Sequence, residues 1–262
     1  MGWAAQRGWL TGAFEAGQAG LEAGLTQPGV QAVVSLGWSA GVQSALSGPL
    51  IVVDALDATI GPRLSVVGEP GARHDQVGFL AGVLAGLVSR TERVALLTET
   101  GGAHESIYQA AFDHGLRYGC PRCALIRLAA AQASAQAVAG EGADAAFAVP
   151  GPAAAPALVP LAEAGLWVVW SGSEPAPLPE TRLAGEIRML PEALAAPALT
   201  ALLDGQAGTA WPYSVESRSI AVGSLNGEAL SPGRELRLQQ AWEGLASGEL
   251  QIGVDPLTGA EP

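Results

Sequence analysis

The side chains able to do bond chemistry are scarce in this sequence and poorly spaced for it. Its three histidines, His74, His104 and His114, have no metal-ligand spacing; His104 and His114 stand ten apart with no paired carboxylate, and each reads as a surface residue. No Gly-x-Ser-x-Gly turn, no pair of acids and no Cys/His context for a nucleophile is present. All thirteen basic residues are arginine. Without lysine there is no Schiff-base amine and no phosphate-loop lysine. The expectation is a protein that is not an enzyme and needs no cofactor or metal. Cys120-Pro121-Arg122-Cys123 follows a helical stretch and precedes a strand, the reverse of a redox-active arrangement. A small disulfide is the leading reading, with free thiols or half a metal site as the others.

What remains is suited to holding a ligand. In an open parallel sheet, ligands sit beyond the carboxyl ends of the strands. Strand ends in this sequence are followed by Trp38 and Ser39, by Glu99, Gly101, Gly102 and His104, by Pro150-Gly151-Pro152, and by Ser171 and Ser173. The Trp38 ring can stack on a planar ligand or pack against its own loop. Gly101-Gly102 permits close approach of a ligand to the backbone, with amides ahead of a helix at Glu105 available to an anionic or hydroxyl group; a plain strand-to-helix turn explains the pair equally well. Arg188 can meet a carboxylate or form a surface ion pair. Trp170, Trp211 and Tyr213 are further aromatic candidates, for the cleft or for the core.

The elements that must carry these residues alternate along the chain. Apolar runs at 31–36, 50–54, 64–67, 94–98, 124–128, 145–149, 167–170 and 219–223 predict strands. Helices are predicted over 40–46, 75–89, 105–118, 131–139, 153–164 and 232–246. Unbroken apolar strands separated by helices predict an α/β fold with parallel, doubly wound sheets. Asp75 stands as the N-cap of its helix, in which Gly78, Gly82 and Gly86 share one face and permit close packing. Pro232 and Gly248 suit the two ends of the last helix. Polar breaks at 90–93 and 171–181 predict a lobe boundary and a crossover loop.

With 262 residues, 49% of them hydrophobic and 15% charged, the chain has ample material for a core. A net charge of −12 disfavours nucleic acid and anionic membrane surfaces as partners. The longest apolar stretch, 79–88, falls short of the ~20 residues that span a bilayer. The first residues lack the pattern of a signal peptide. The protein is therefore expected outside the cytoplasm if an export signal was removed, and inside it if this is the whole product.

Three stretches, in order, resemble one family. They are Gly78-Phe79-Leu80-Ala81-Gly82 with Ser89 to Leu97, Phe112-Asp113-His114-Gly115-Leu116-Arg117-Tyr118-Gly119, and Ala241 to Leu250. Across residues 28–255 the chain resembles the basic membrane protein family, the nucleoside-binding lipoproteins of bacterial ABC importers. The resemblance implies the type I periplasmic-binding-protein architecture: two Rossmann-like lobes with a ligand cleft between them. Lobe I would be 1–92 with a return over about 183–210, and lobe II 93–182 with about 211–262 crossing back. It also implies a ligand such as a purine nucleoside, delivered to an ABC permease. Residues 1–28 do not match the family's opening strand, so the first strand is expected to be lacking. Gln76 stands in place of an acid, Arg188 in place of a lysine, and Trp170-Ser171-Gly172-Ser173-Glu174 lacks the acid that holds ribose hydroxyls. A purine nucleoside loses partners by these changes. The alternative is a family member without a transport ligand that acts as a sensor or scaffold.

Overall fold

A computed structural model describes residues 33–36, 49–55, 58–69, 71–99, 101–102, 104–172 and 174–261. The helix expected at 40–46, the question of a missing first strand, and Trp38, Ser39 and Ser173 lie outside the described residues. In chain order the elements are β1 (Val33–Leu36), β2 (Leu50–Val53), β3 (Leu64–Gly68), α1 (His74–Val88), β4 (Arg93–Thr98), α2 (Glu105–Gly119), β5 (Ala124–Ala129), α3 (Ala135–Gly140), β6 (Ala145–Ala148), α4 (Ala154–Glu163), β7 (Trp167–Gly172), β8 (Leu183–Met189), α5 (Pro191–Leu203), β9 (Ala210–Pro212), β10 (Ile220–Leu225) and α6 (Pro232–Ser247). They fall into two compact units, Met1–Ala72 with Pro191–Tyr213, and Arg73–Leu190 with Ser214–Pro262.

The first unit holds a four-stranded sheet of order β1-β2-β3-β9, parallel throughout. Leu50, Val52, Leu64 and Val66 form its core with Ala55 and Ala58. Helix α5 packs against β2 and β3. Burial of both β2 and β3 along their whole length explains their unbroken apolar sequence.

The second unit holds six strands in the order β10-β8-β7-β6-β4-β5. All neighbours are parallel except β10, which pairs antiparallel with β8. Helix α1 packs on one face, against β6, β7 and β8. Apolar residues of α3 and α4 cover the other, around Val138, Leu158 and Leu161. Every residue of α1 is buried, which is why its sequence is apolar all round.

Helices α1 and α2 meet through the glycine face expected from the spacing of Gly78, Gly82 and Gly86. A Cβ at Gly82 would lie 2.2 Å from the Phe112 carbonyl oxygen, and one at Gly115 would lie 2.0 Å from that of Phe79. Gly248 closes α6 in the left-handed conformation and Pro232 opens it, as expected. Cys120 and Cys123 form a disulfide across the turn into β5.

Several boundaries differ from expectation. The cap position of α1 is Arg73, and Asp75 lies in the first turn, buried, accepting from the Arg73 guanidinium at 2.8 and 2.7 Å. The helix expected over 131–139 divides into a short 3-10 turn and α3, because Ser134 accepts from the Ala137 amide and starts a new helix. The units divide at 72/73 rather than 92/93, since α1 packs on the second sheet. The stretch 171–181 is not a crossover loop: it joins β7 to β8 within one sheet, and the chain returns to the first unit only at Pro191. Strand β8, with Gly185, Glu186 and Arg188 in seven residues, carries no clean apolar signature. Its buried Glu186 is satisfied by the Ala176 amide at 2.9 Å.

Candidate functional site

Because β4, β6, β7 and β8 run parallel, their carboxyl ends share one edge of the second sheet. That edge brings together Glu99, Gly101, Gly102, Gly151, Ser171 and Arg188. The Glu99 carboxylate lies over Gly151, where a Cβ would be 3.2 Å from its Oε2. Gly102 donates to the Glu99 carbonyl at 2.8 Å. Gly172, next to Ser171, is in register with Arg188 across the β7–β8 pair. The Ser171 hydroxyl is buried and has no hydrogen-bond partner among the described residues, an arrangement that costs free energy unless a ligand or water completes it.

Two of the anticipated contacts are occupied by the chain itself. The Gly101 amide donates to Glu105 Oε2 at 3.1 Å, so the carboxylate that begins α2 fills the place foreseen for an external anion. Gln76 is engaged at both ends: its side-chain oxygen accepts from the Val215 amide at 2.8 Å and its nitrogen donates to both Glu216 oxygens at 2.9 and 3.0 Å. It ties α1 to the 214–217 turn, so both ends of the side chain named as a ligand contact are taken up within the chain.

Sequence reasoning placed His74 on the surface, whereas it is buried. Its ring stacks on His104 at 4.0 Å between centroids, and its Nδ1 lies 2.9 Å from the Tyr108 hydroxyl. The pair stands where α1 and α2 begin, with His104 in the left-handed conformation at φ 59°. Its thirty-residue separation follows no local period, so nothing in the sequence pairs the two rings.

The first unit has its own carboxyl-end cluster, which sequence reasoning missed: Asp54 after β2, Gly68 and Glu69 at the end of β3, and Tyr213 after β9. Asp54 takes the left-handed conformation at φ 53°, and Gly68 at φ 88° leaves no room for a Cβ, which would fall 2.3 Å from Asp54 Oδ1 and 2.7 Å from the Tyr213 ring. Burial pushes the Asp54 carboxyl above its ordinary value; the Tyr213 hydroxyl opposes that shift and Glu69 reinforces it. Burial, with Asp54 beside it, pushes the Tyr213 phenol far above its ordinary range, so it stays neutral. The Trp211 indole N–H is buried without an acceptor among the described residues. A strained backbone under a destabilised carboxylate is typical of a site kept for use. The rule that selected strand ends elsewhere also selects Asp54, which directly follows Leu50-Ile51-Val52-Val53.

The charge on Asp54 therefore opposes folding at neutral pH. That cost is absent below the unfolded value of 3.8 and appears as pH rises through the higher folded value. Asp54→Asn should raise the urea midpoint at pH 7, with the gain shrinking toward pH 3. A gain of equal size at both pH values would show that the Asp54 charge is not its source, since Asn and Asp both suit the left-handed region.

No protein-family model and no curated protein matches the chain. Solved structures do. A transcriptional activator of the comK gene from Bacillus halodurans aligns with a TM-score of 0.68 at 11% identity, over 85% of this chain and 80% of that one. An ABC transporter solute-binding protein from Conexibacter woesei DSM 14684 aligns at 0.64 and 19%, over 85% and 79%. Another from Aeropyrum pernix K1 aligns at 0.64 and 10%, over 88% and 79%. The shared feature is the fold: two parallel-sheet α/β units of the type I periplasmic-binding-protein class. Among the described residues, no helix is long and apolar enough to cross a membrane.

Proposed function

We propose that this chain is the solute-binding component of an ABC import system, holding a small polar ligand of nucleoside-like size at the carboxyl edge of its second sheet. The observation that carries the reading is the placement of Glu99, Gly151 and Ser171 at the carboxyl ends of β4, β6 and β7, with the Ser171 hydroxyl buried and without a partner among the described residues. Trp38, Ser39 and Ser173 belong to the same proposal. The Cys120–Cys123 disulfide supports a site of action outside the reducing cytoplasm, with a membrane permease as the partner. A second reading, a sensor or regulator of the same fold, is supported by the likeness to the comK activator and by Gln76, Arg188 and Ser171 replacing residues that would grip a nucleoside.

A thermal-shift screen of nucleosides, bases, sugars and amino acids tests the first reading. A ligand at a hundred times its Kd should stabilise the protein by about 2.7 kcal/mol. Ser171→Ala and Arg188→Ala should each weaken the compound that binds by about tenfold, the loss of one hydrogen bond to a polar or charged group. If no compound raises the midpoint, the transport reading falls.

A further inference from the structure

A concavity lies in the second unit at the edge of its sheet opposite the strand carboxyl ends, where the chain enters β4 and β5. It encloses about 540 Å³ and is lined by Arg90, Arg122, Arg234 and Arg237, with Glu92 the sole acid among its lining residues. In a chain of net charge −12 with thirteen arginines, four guanidinium groups against one carboxylate is a local inversion of charge. Bringing like charges together costs free energy unless a counter-charge is supplied.

Each arginine has a partner within the chain. Arg234 donates to the Leu87 carbonyl at 2.6 Å and Arg237 to that of Tyr118 at 3.1 Å, the carbonyls near the ends of α1 and α2. Arg90 reaches the Glu228 carbonyl at 3.4 Å, and Arg122 pairs with Glu92. Capping helix ends explains one donor of Arg234 and one of Arg237. A guanidinium carries five N–H donors, so these contacts hold Arg234 and Arg237 in place, leave Arg90 and Arg122 exposed and only tethered, and leave further donors available on all four. The Cys120–Cys123 disulfide closes the turn that carries Arg122. Gly233, in the first turn of α6, adds no side chain, and a Cβ there would meet nothing within 4 Å.

We propose that this pocket binds a small phosphate-bearing anion. The planar forks of Arg234 and Arg237, held by backbone carbonyls, match phosphate oxygens in pairs, the exposed Arg90 and Arg122 can close on the same anion, and the volume suits a small molecule. The amino end of α6 contributes further positive potential. The site is separate from the ligand edge proposed above and does not depend on it.

Isothermal titration of the full chain with sodium pyrophosphate, in phosphate-free buffer, tests the proposal. The wild type should bind, more weakly as salt is raised. The exposed double variant R90A/R122A should lose at least tenfold in affinity while its anion-free unfolding midpoint stays near that of the wild type. Ser171→Ala should bind pyrophosphate as the wild type does. Absence of binding, unchanged binding by R90A/R122A, or loss of binding in Ser171→Ala would each overturn the assignment. Binding of citrate without binding of pyrophosphate would overturn the phosphate class.

Discussion

Gly115→Ala should destabilise the second unit by about 3 kcal/mol, the upper part of the range for overpacking a rigid contact. For a unit of this size that lowers the melting midpoint by roughly 6–12 °C. The added methyl would sit 2.0 Å from the Phe79 carbonyl oxygen and 2.7 Å from its carbon. Both atoms belong to the backbone of α1, so no rotamer change relieves the clash and the helices must separate. Separation would also loosen the Phe79–Tyr118 ring contact across the same seam, now at 5.6 Å. Gly233→Ala is the matched control, in a helix and with open space around it. It should be neutral or stabilising by up to ~1 kcal/mol, because alanine loses less backbone entropy. Urea unfolding followed by circular dichroism reads both variants, and equal midpoints for the two would refute the close helix contact.

Gln76→Glu should have a comparable cost at neutral pH and reverse a pH dependence. In the wild type, burial raises the Glu216 carboxyl, but the Gln76 amide, the Glu216 backbone, Ser214 and Arg73 outweigh it and hold it below its ordinary value. A lowered folded value contributes stability that is present above the unfolded value of 4.5 and is lost as pH falls through the folded one. Replacing the amide donor by a carboxylate sets two acids against each other at the 2.9 Å contact. One of the two must then hold a proton, with its folded value raised. Stability contributed by that proton is present below the unfolded value and lost as pH rises through the folded one. The variant should be weaker than the wild type by about 2–3 kcal/mol at pH 7, on the scale of a broken charged hydrogen bond, and should recover part of the difference near pH 4. Gln76→Ala leaves the Val215 amide without its acceptor, so it should cost about 1–3 kcal/mol without the recovery. Urea midpoints across pH 4–7 separate the three proteins. A parallel pH profile for Gln76→Glu and the wild type would show that position 76 does not face Glu216.

The Gln76 interaction also marks where sequence reading stops. A resemblance placed this residue among the ligand contacts, and its neighbours along α1 were read correctly as a packing helix. Its real partner lies 140 positions away, and no periodicity links the two. Glu99, Gly151 and Ser171 are legible as strand-end positions because position after a strand is a local property, and a parallel sheet sends all such positions to one edge; Arg188 comes from the resemblance alone. Asp54 satisfies the same rule only once β2 is seen to end at Val53, because the apolar run predicts a strand through residue 54. His74 stood just ahead of an apolar helix, yet only the meeting of α1 with α2 buries it on His104. Strand β8 has no legible pattern because Glu186 and Arg188 interrupt it, and the Ala176 amide that makes Glu186 tolerable comes from the loop that leads into the strand, folded back on it.

The alternation of apolar strands with helices, the tight glycine face of α1, the termini of α6 and the absence of lysine chemistry are all present in the order of residues. Each depends on neighbours within a turn or two, where covalent geometry sets the spacing. Which strands share a sheet, where the chain returns to its first unit, which polar groups are already satisfied and where arginines gather against a negative chain were decided by tertiary structure. Those outcomes depend on burial and pairing between distant segments, and only the folded arrangement brings such segments within reach of one another.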